Sequence, residues 1–479
     1  MDPTFLSSSR LAEMTCRRQI GCLELLDHYI ARIERLDPKI NAVVVRNFEP
    51  ARARARALDQ ATDRSAPLFG VPMTVKESYN VAGLPTTWGV TTQRDWIATS
   101  NALVVDRLAD AGAVVFGKTN VPVMLADWQS YNPIYGTTNN PWDVRLSPGG
   151  SSGGGAAALA AGFCGLEAGS DIGGSLRNPA HYCGVFSHKP TWGICPTLGH
   201  SMAGTVSRSD ISVVGPLARS AEDLAVALDV MSGAEPIEAG WKLELPASRI
   251  GGFKSLRVAI MKDHQLSEVD TSVTSALDAL ADSLRREGAT VSMEARPDFD
   301  LALGHRLFIE MLRATTSRRT DGPAMMRWRD EAARLPADDK SYYAMLARGV
   351  SMLHRDFLIG NETREKMRRI WSRFFDDWDV FLCPVAASPA QKHDQQGERW
   401  ERSIEVNGHN VPTTDQMFWA GISGFYLLPA TVAPIAATSS GLPVGVQIVG
   451  PQHGDRTTIA FAELLEKEWR GFTPPPGWM

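Results

Sequence analysis

Two glycine-rich segments of the chain each carry serine residues that could act as nucleophiles. Residues 147–155 read Ser-Pro-Gly-Gly-Ser-Ser-Gly-Gly-Gly, and residues 169–179 place Ser175 directly after paired glycines. Glycine at this density indicates a backbone that needs positive φ or close approach to another group. An alanine-rich run at 156–161 predicts a helix after the first loop, and a helix N-terminus favours anions. Both segments are therefore candidates for nucleophile and oxyanion chemistry.

The first segment, taken alone, fits several functions. A phosphate-binding loop would end in Gly-Lys-Ser or Gly-Lys-Thr, whereas this loop ends in Gly-Gly-Ala. The nucleophile-elbow pattern G-x-S-x-G matches at Ser151 and at Ser152. An α/β-hydrolase would also need a downstream acid and then a histidine, for which His409 and His453 are candidates. A close-packed glycine turn without chemistry is the structural alternative.

The second segment and an upstream lysine reduce the number of functions that fit the sequence. Residues 172–175 could aim consecutive backbone N–H groups at one point, as an oxyanion hole requires. Lys76 follows an apolar run at 71–75 that predicts a short buried strand. A lysine at the end of a buried strand either pairs with a carboxylate or loses its charge, and the ion-paired form is the ordinary one for such a residue taken alone.

Together, these three segments resemble the amidase signature family. That family combines a lysine after a G-V-P-x-x-x-K strand, a GGSSGG loop and a D-x-GGS-x-R-x-P loop. This chain has the three patterns at 70–76, 149–154 and 171–179. Ser151 and Ser175 lie 24 positions apart (175 − 151), as in the family pattern. No single one of the three patterns is as specific as their combination.

The resemblance implies a Ser–cis-Ser–Lys triad. Ser175 would be the acylated nucleophile, Ser151 the bridging serine after a cis Gly150–Ser151 peptide bond, and Lys76 the base. Lys76 must be uncharged in this role, although a free lysine has a pKa of about 10.4, and a shift to about 7 corresponds to roughly 4 kcal/mol. We therefore expect Lys76 to be buried and not to be paired with the adjacent Glu77.

The same resemblance assigns roles around the two loops. The backbone N–H groups of Ile172, Gly173 and Gly174 would form the oxyanion hole, which holds the charge that develops on the carbonyl oxygen. Ser152 is expected to hydrogen bond with the lysine or with the nucleophile loop.

Two charged residues flank the nucleophile, and a variable segment precedes both loops. Asp171 and Arg177 would orient the nucleophile loop, with a surface ion pair as the ordinary alternative. The segment 123–130 usually contacts substrate in this family, so Leu125 and Ala126 are the expected substrate contacts.

Histidine has no part in this chemistry. His181, His188 and His200 lie near the motifs in sequence, and the structural interpretation is favoured for all three. The pair Ser187-His188 stands where the family usually has two apolar residues, so we expect a change of packing there.

Net charge and composition argue against several kinds of binding partner. The 479 residues carry a formal net charge of −5, and no basic patch indicates a nucleic acid or an anionic membrane. The N-terminus has no signal-peptide pattern, and the longest apolar run, at 425–437, is interrupted by Pro429 and Pro434. Six cysteines without C-x-x-C spacing indicate reduced thiols and a cytoplasmic enzyme. We expect no metal and no cofactor, and the chain length is compatible with a homodimer.

The hydrophobic periodicity predicts an α/β fold. The resemblance implies one compact α/β/α domain, with a mixed central β-sheet covered by helices on both faces. The chain would comprise an N-terminal helical segment at 1–65, the signature core at 66–235, a strand–helix unit with a helical insertion at 236–385, and a C-terminal part at 386–479. Predicted helices are at 22–36, 101–111, 220–232, 271–287 and 455–469, with strands at 113–117, 256–260, 289–293, 380–383 and 444–449.

The reaction implied is hydrolysis of a carboxylic acid amide to an acid and an amine or ammonia. The almost wholly helical stretch 300–376 could cap the site and line a pocket for an aryl or apolar group, with core packing as the ordinary alternative. Its apolar residues are Phe308, Met311, Met325, Met326, Trp328, Tyr342, Tyr343, Met345, Met352 and Phe357. Two further candidates are the amidase component of a glutamine-dependent amidotransferase and a non-catalytic scaffold.

Overall fold

An eleven-stranded mixed sheet runs through the computed structural model, which describes residues 2–478. Four further strands form two small hairpins beside it. The strands are β1 (Val43–Arg46), β2 (Pro72–Lys76), β3 (Val114–Thr119), β4 (Tyr131–Asn132), β5 (Gly136–Thr137), β6 (Leu166–Asp171), β7 (Phe186–Lys189), β8 (Val213–Ala218), β9 (Arg257–Ile260), β10 (Thr290–Ser292), β11 (Val380–Pro384), β12 (Ser403–Val406), β13 (His409–Pro412), β14 (Ala430–Ala437) and β15 (Pro443–Val449).

Helices flank this sheet, as the alternation of strand and helix patterns predicts. The helices of residues 2–478 are α1 (Ser8–Cys16), α2 (Cys22–Leu36), α3 (Phe48–Asp59), α4 (Leu103–Asp110), α5 (Gly153–Ala160), α6 (Arg177–Cys183), α7 (Ala221–Met231), α8 (Thr271–Arg286), α9 (Leu301–Thr316), α10 (Gly322–Arg334), α11 (Tyr342–Val350), α12 (His354–Asp377), α13 (Met417–Gly424) and α14 (Asp455–Glu468). None of them is both long enough and apolar enough to cross a bilayer.

The strand order is β1-β3-β2-β6-β8-β7-β14-β15-β11-β9-β10. The strand β2 pairs in parallel with both β3 and β6, whereas β6 pairs antiparallel with β8. Each of the four predicted segments contributes strands to this one sheet, which contains strands from Val43 to Val449. The segment 1–65 contributes β1 as well as helices. The predicted α/β class with a mixed central sheet is therefore confirmed.

The strand β14 is an element that the apolar pattern did not predict. It lies between β7 and β15, a position where proline would remove a ladder hydrogen bond. The pairing with β7 ends at Val432, before Pro434, and the register with β15 shifts between Pro434 and Ala436. The proline is therefore tolerated because it lies at a bulge, on a part of the strand that β7 does not pair.

Candidate active site

Two parallel neighbouring strands bring the candidate catalytic residues to one edge of the sheet. Lys76 is the last residue of β2, and Ser170 and Asp171 end β6. The register sets Val75 of β2 beside Ala168 of β6, so the carboxyl ends of the two strands meet. Groups that follow adjacent parallel strands lie close together in this arrangement.

The Lys76 amine is fully buried and hydrogen bonded to two hydroxyl groups. Its Nζ atom lies 2.7 Å from Ser151 Oγ and 3.0 Å from Ser170 Oγ. Burial lowers the pKa of Lys76 to about 7, while the nearby charges of Asp171 and Glu167 act in the opposite direction. Within residues 2–478 no carboxylate oxygen comes within salt-bridge distance of this amine. The predicted burial of Lys76 is confirmed.

Glu77, the next residue, is held on the other side of the strand end. Its carboxylate accepts hydrogen bonds from the Thr87 N–H at 2.6 Å, the Thr87 hydroxyl at 2.8 Å and the Trp88 N–H at 2.9 Å. Consecutive side chains of a strand point to opposite faces, which separates the Glu77 carboxylate from the lysine amine. The predicted absence of a Lys76–Glu77 pair is confirmed.

The loop before α5 carries Ser151 against this amine. The Gly150–Ser151 peptide bond is cis, as the resemblance implies. A Cβ atom on Gly150 would lie 2.5 Å from the Asp127 carbonyl oxygen, so close approach explains the glycine. The Ser152 hydroxyl donates to the Ser170 carbonyl at 3.2 Å and therefore contacts the strand leading into the nucleophile loop rather than the lysine.

The nucleophile loop is fastened by a buried ion pair. Asp171 accepts from the Gly174 N–H at 2.8 Å and the Leu176 N–H at 3.0 Å, and its carboxylate lies 2.9 Å from Arg177 Nη2. Burial alone would raise the pKa of Asp171, but Arg177 and these N–H donors hold it well below its usual range. Each side chain of the pair is 1% exposed, so the alternative of a surface ion pair is wrong.

A hydrogen bond to Asp171 shows that one of the predicted oxyanion-hole donors, the Gly174 N–H, is already used. The Gly174 N–H, expected to face the oxyanion, donates instead to the Asp171 carboxylate. Among the residues that the structure describes, no acceptor takes the N–H of Ile172 or of Gly173. Of the three oxyanion donors predicted, these two remain available, and the Trp128 indole N–H holds the Gly173 carbonyl at 2.8 Å.

Ser175 faces the same cavity as Ser151 but is not hydrogen bonded to it. The Ser152 N–H donates to the Ser175 carbonyl at 3.2 Å, which joins the two serine loops. Across residues 2–478 the Ser175 hydroxyl has no hydrogen-bond partner. The structure therefore brings Lys76 and Ser151 into contact and places Ser175 beside them with its hydroxyl free.

A cavity of about 750 Å³ opens over these serines. Leu125 and Ala126 line it, where the sequence predicts substrate contacts. The other apolar side chains of its wall are Trp88, Met124, Trp128, Ile172, Met202, Val206, Leu312, Ala314, Met352, Phe357 and Met417.

Comparison with known proteins agrees with this geometry. A family model described as Amidase matches residues 24–459. The chain belongs to the amidase family. It is 33% identical to the indoleacetamide hydrolase of Bradyrhizobium diazoefficiens, an alignment that covers 93% of this chain and 83% of the relative. This amidase is also 31% identical to a glutamyl-tRNA(Gln) amidotransferase subunit of Methylobacillus flagellatus, with 93% of each chain covered.

A solved structure shows the same fold. A bacterial aryl acylamidase of the amidase signature family superposes with a TM-score of 0.81 at 22% identity, covering 97% of both chains. The amidase therefore has the amidase signature fold. As a member of the amidase family, it is a hydrolase that acts on amides.

The helical stretch 300–376 contributes to the cavity through two short segments, 312–319 and 352–357. The C-terminal end of α9 and the turn after it line the wall, together with Met352 and Phe357. Phe308 and Met311 are fully buried core residues instead, and Met326 is 68% exposed. Tyr342, Tyr343 and Met345 line a separate cavity. Most of the apolar residues named from the sequence therefore do not line the cavity above Ser175.

The three histidines have structural partners in the amidase. His181 Nε2 lies 3.0 Å from the Ser388 carbonyl, and His188 Nε2 lies 3.0 Å from Asp455. His200 does line the cavity, but its ring is bound by Ser78 at 2.9 Å, and burial lowers its pKa to about 3.

Three contributors to the site escaped the sequence patterns. Ser170 hydrogen bonds to the lysine, and Glu167 places a charge near it, only because β2 and β6 are neighbouring strands. No sequence motif indicates that pairing. Trp128 lies in the segment named for substrate contact, but nothing in sequence shows that its N–H binds the nucleophile loop. Across residues 2–478 the cysteines are free, and no group of three His, Cys, Asp or Glu could hold a metal ion.

Proposed function

We propose that this amidase hydrolyses a carboxylic acid amide through an acyl-enzyme on Ser175, with Ser151 and Lys76 as its proton relay. The observation that carries the proposal is the buried Lys76 amine, 2.7 Å from Ser151 Oγ and without a carboxylate partner. An amine with a pKa of about 7 can accept a proton at neutral pH, which an ordinary lysine cannot do.

The proton path follows from these contacts. Lys76 takes the Ser151 proton, Ser151 takes the Ser175 proton, and Ser175 Oγ attacks the amide carbonyl. The N–H groups of Ile172 and Gly173 donate to the developing oxyanion. The relay then returns a proton to the leaving amine as the C–N bond breaks, and water hydrolyses the ester on Ser175.

One contact must form when substrate binds. The Ser175 hydroxyl has to donate to Ser151 Oγ, and no other residue of 2–478 holds that hydroxyl. Catalytic hydrogen bonds commonly tighten only in the substrate complex. We infer that the Ser175 side chain turns toward Ser151 as the amide enters.

The apolar wall of the cavity supports an aryl or apolar group next to the scissile bond. Trp88, Leu125, Leu312 and Met417 line the cavity into which Ser151 and Ser175 open. Apolar side chains in the wall of a cavity of this size favour an apolar group on the ligand.

The decisive experiment is mass spectrometry of the protein quenched during turnover of an aryl amide. We expect the mass of one acyl group on the peptide that contains Ser175. Ser175→Ala should abolish the adduct, and Lys76→Met should reduce acylation by about 10² to 10⁴-fold. Acylation of another residue, or an unchanged rate in Lys76→Met, would overturn the proposal.

The likeness to an amidotransferase component favours a second candidate, glutamine hydrolysis within a larger enzyme complex. The same relay would serve that reaction. Activity of the purified single chain separates the two, since a standalone amidase turns over simple amides without partner chains and without preference for glutamine.

A further inference from the structure

We propose that the amide substrate carries a carboxylate, and that Arg313 and Arg399 bind it across the cavity from Ser175. This inference rests on the proposed function and adds a substrate class to it. It starts from the charges around the cavity.

The acidic side chains of the cavity wall already have cationic partners. Asp127 lies 2.7 Å from Arg402, and Asp210 lies 2.8 Å from Arg364. Arg208, another lining residue, is likewise paired with two glutamates. The two aspartates are neutralised by their arginines, and the charge of Arg208 is more than offset by its two glutamates.

Four other arginines of the wall have no such partner. Within residues 2–478, none of them has a carboxylate oxygen within 4.0 Å: Arg313, Arg318, Arg319 and Arg399. Arg318 and Arg319 are exposed at the mouth, where they attract anions from solution. The cavity therefore has an excess of positive charge that the protein does not compensate.

Arg313 is the most constrained of the four. Its side chain lies at the end of α9 with the residue only 9% exposed, and its Nε–H has no hydrogen-bond partner in the described chain. A buried cation without a counter-ion is costly, and an unsatisfied N–H adds to that cost. A bound anion would offset both.

Tyr342 holds Arg313 and Arg399 together. Both guanidinium groups donate to the Tyr342 hydroxyl, Arg399 at 2.6 Å. Their central carbons lie 5.5 Å and 5.6 Å from the Tyr342 ring centroid. A single hydroxyl cannot use all the N–H donors of two guanidinium groups. The N–H groups that this hydroxyl does not take, among them the Arg313 Nε–H, are donors of the kind that a carboxylate accepts.

Short contacts join this arginine pair to the nucleophile loop. A Cβ atom on Gly173 would lie 3.7 Å from Leu312 Cδ2, and Leu312 directly precedes Arg313. On the other side, Arg399 donates to the Ala126 carbonyl at 2.9 Å, two residues before Trp128, which binds Gly173. The pair and Ser175 thus line the same cavity.

The substrate class follows from these groups. The two serines, apolar side chains and the arginine pair all line the same cavity. We therefore infer an amide with an apolar spacer between the scissile bond and a carboxylate, on either the acyl or the amine side. The carboxylate does not react, so water addition and C–N cleavage proceed as proposed above.

The test compares matched substrates that differ only in charge. Monoamides of dicarboxylic acids and N-acyl amino acids are each assayed against their methyl esters, with the rate of amide cleavage measured. We expect at least one acid to be preferred about 10- to 100-fold in kcat/KM, the range of a charge-assisted hydrogen bond. Added salt should reduce that preference.

Variants assign the preference to the arginines. Arg313→Gln and Arg399→Gln should each lose most of it, measured as the ratio of kcat/KM for the acid to that for its methyl ester, in which any loss of turnover common to both substrates cancels. Arg313→Lys should keep part of it. Arg327→Gln removes an exposed arginine of α10 outside the cavity and is the matched control. Thermal melting shows whether each Gln variant is folded. If one of them is not, the other still tests the proposal.

The outcomes separate the two proposals. Equal rates for acids and esters, or a preference that survives both Gln variants, would overturn the carboxylate site while Ser175 still acylates. Absence of acylation by any amide would instead contradict the proposed function itself.

Discussion

Lys76 Nζ and Ser151 Oγ are joined by a 2.7 Å hydrogen bond between a fully buried lysine and a serine that is 1% exposed. The second hydrogen-bond partner of the amine is also a hydroxyl, that of Ser170, and not a carboxylate. An ammonium ion would have to be buried here without a counter-ion, which favours the uncharged amine. Several measurable consequences depend on this relationship.

The first concerns pH. Protonated Lys76 cannot accept a proton, so kcat/KM for a neutral amide should rise with pH and level off above an apparent pKa of about 7. On the acid side, each pH unit should lower kcat/KM about tenfold. Initial rates across the range, with circular dichroism as a check on folding, measure this. A flat profile through neutral pH would show that Lys76 is not the base.

A second prediction assigns that titration. Burial also raises the pKa of Glu167 to about 7, so its carboxyl could produce a limb at the same pH. The negative charge of Glu167 raises the pKa of Lys76, so Glu167→Gln should move the limb to lower pH without abolishing it. Loss of the limb in this variant would assign it to Glu167 instead.

A third prediction tests the second hydroxyl on the amine. Ser170→Ala removes the partner at 3.0 Å and should lower kcat/KM about tenfold, since a neutral hydrogen bond contributes about 1 kcal/mol and its loss leaves the amine less well oriented. Ser170→Thr should restore the rate. Ser187→Ala is the control, because that buried hydroxyl has no partner in the described chain, and its removal should change neither rate nor stability.

The sequence predicts the site well where short motifs contain it. The glycine loops and the strand before Lys76 are local patterns, so the proposed triad residues, the burial of the lysine and the helix after the first loop could be named in advance. Ser170 and Arg313 could not, because a strand neighbour and the lack of a counter-ion are properties of the folded chain. Gly174 was assigned wrongly, since the motif does not show that Asp171 takes its N–H.

A fourth prediction compares two glycines with similar backbones. Gly174 has φ +101° and Gly193 has φ +90°, so alanine is strained at either position by about 1–3 kcal/mol. A Cβ on Gly193 meets nothing within 4 Å, whereas one on Gly174 would lie 2.7 Å from Trp128 Cζ2. Gly193→Ala should therefore keep its activity and Gly174→Ala should lose it, as measured by turnover at a temperature where both are folded. Equal activities would show that the Trp128 side chain moves to make room for the added methyl group.

The last prediction concerns the ion pair beneath the nucleophile. Asp171→Ala leaves Arg177 charged and buried, and removes the acceptor of the Gly174 N–H, so it should lower the free energy of unfolding by about 3–5 kcal/mol in urea titrations. Asp171→Ala combined with Arg177→Met should regain part of that loss, because the uncompensated charge is gone. Asp143→Ala, which breaks an exposed pair with Arg145, should leave the unfolding midpoint unchanged. A loss in Asp171→Ala no larger than in this control would mean that water reaches Arg177, and the nucleophile loop would then not depend on the pair for its shape.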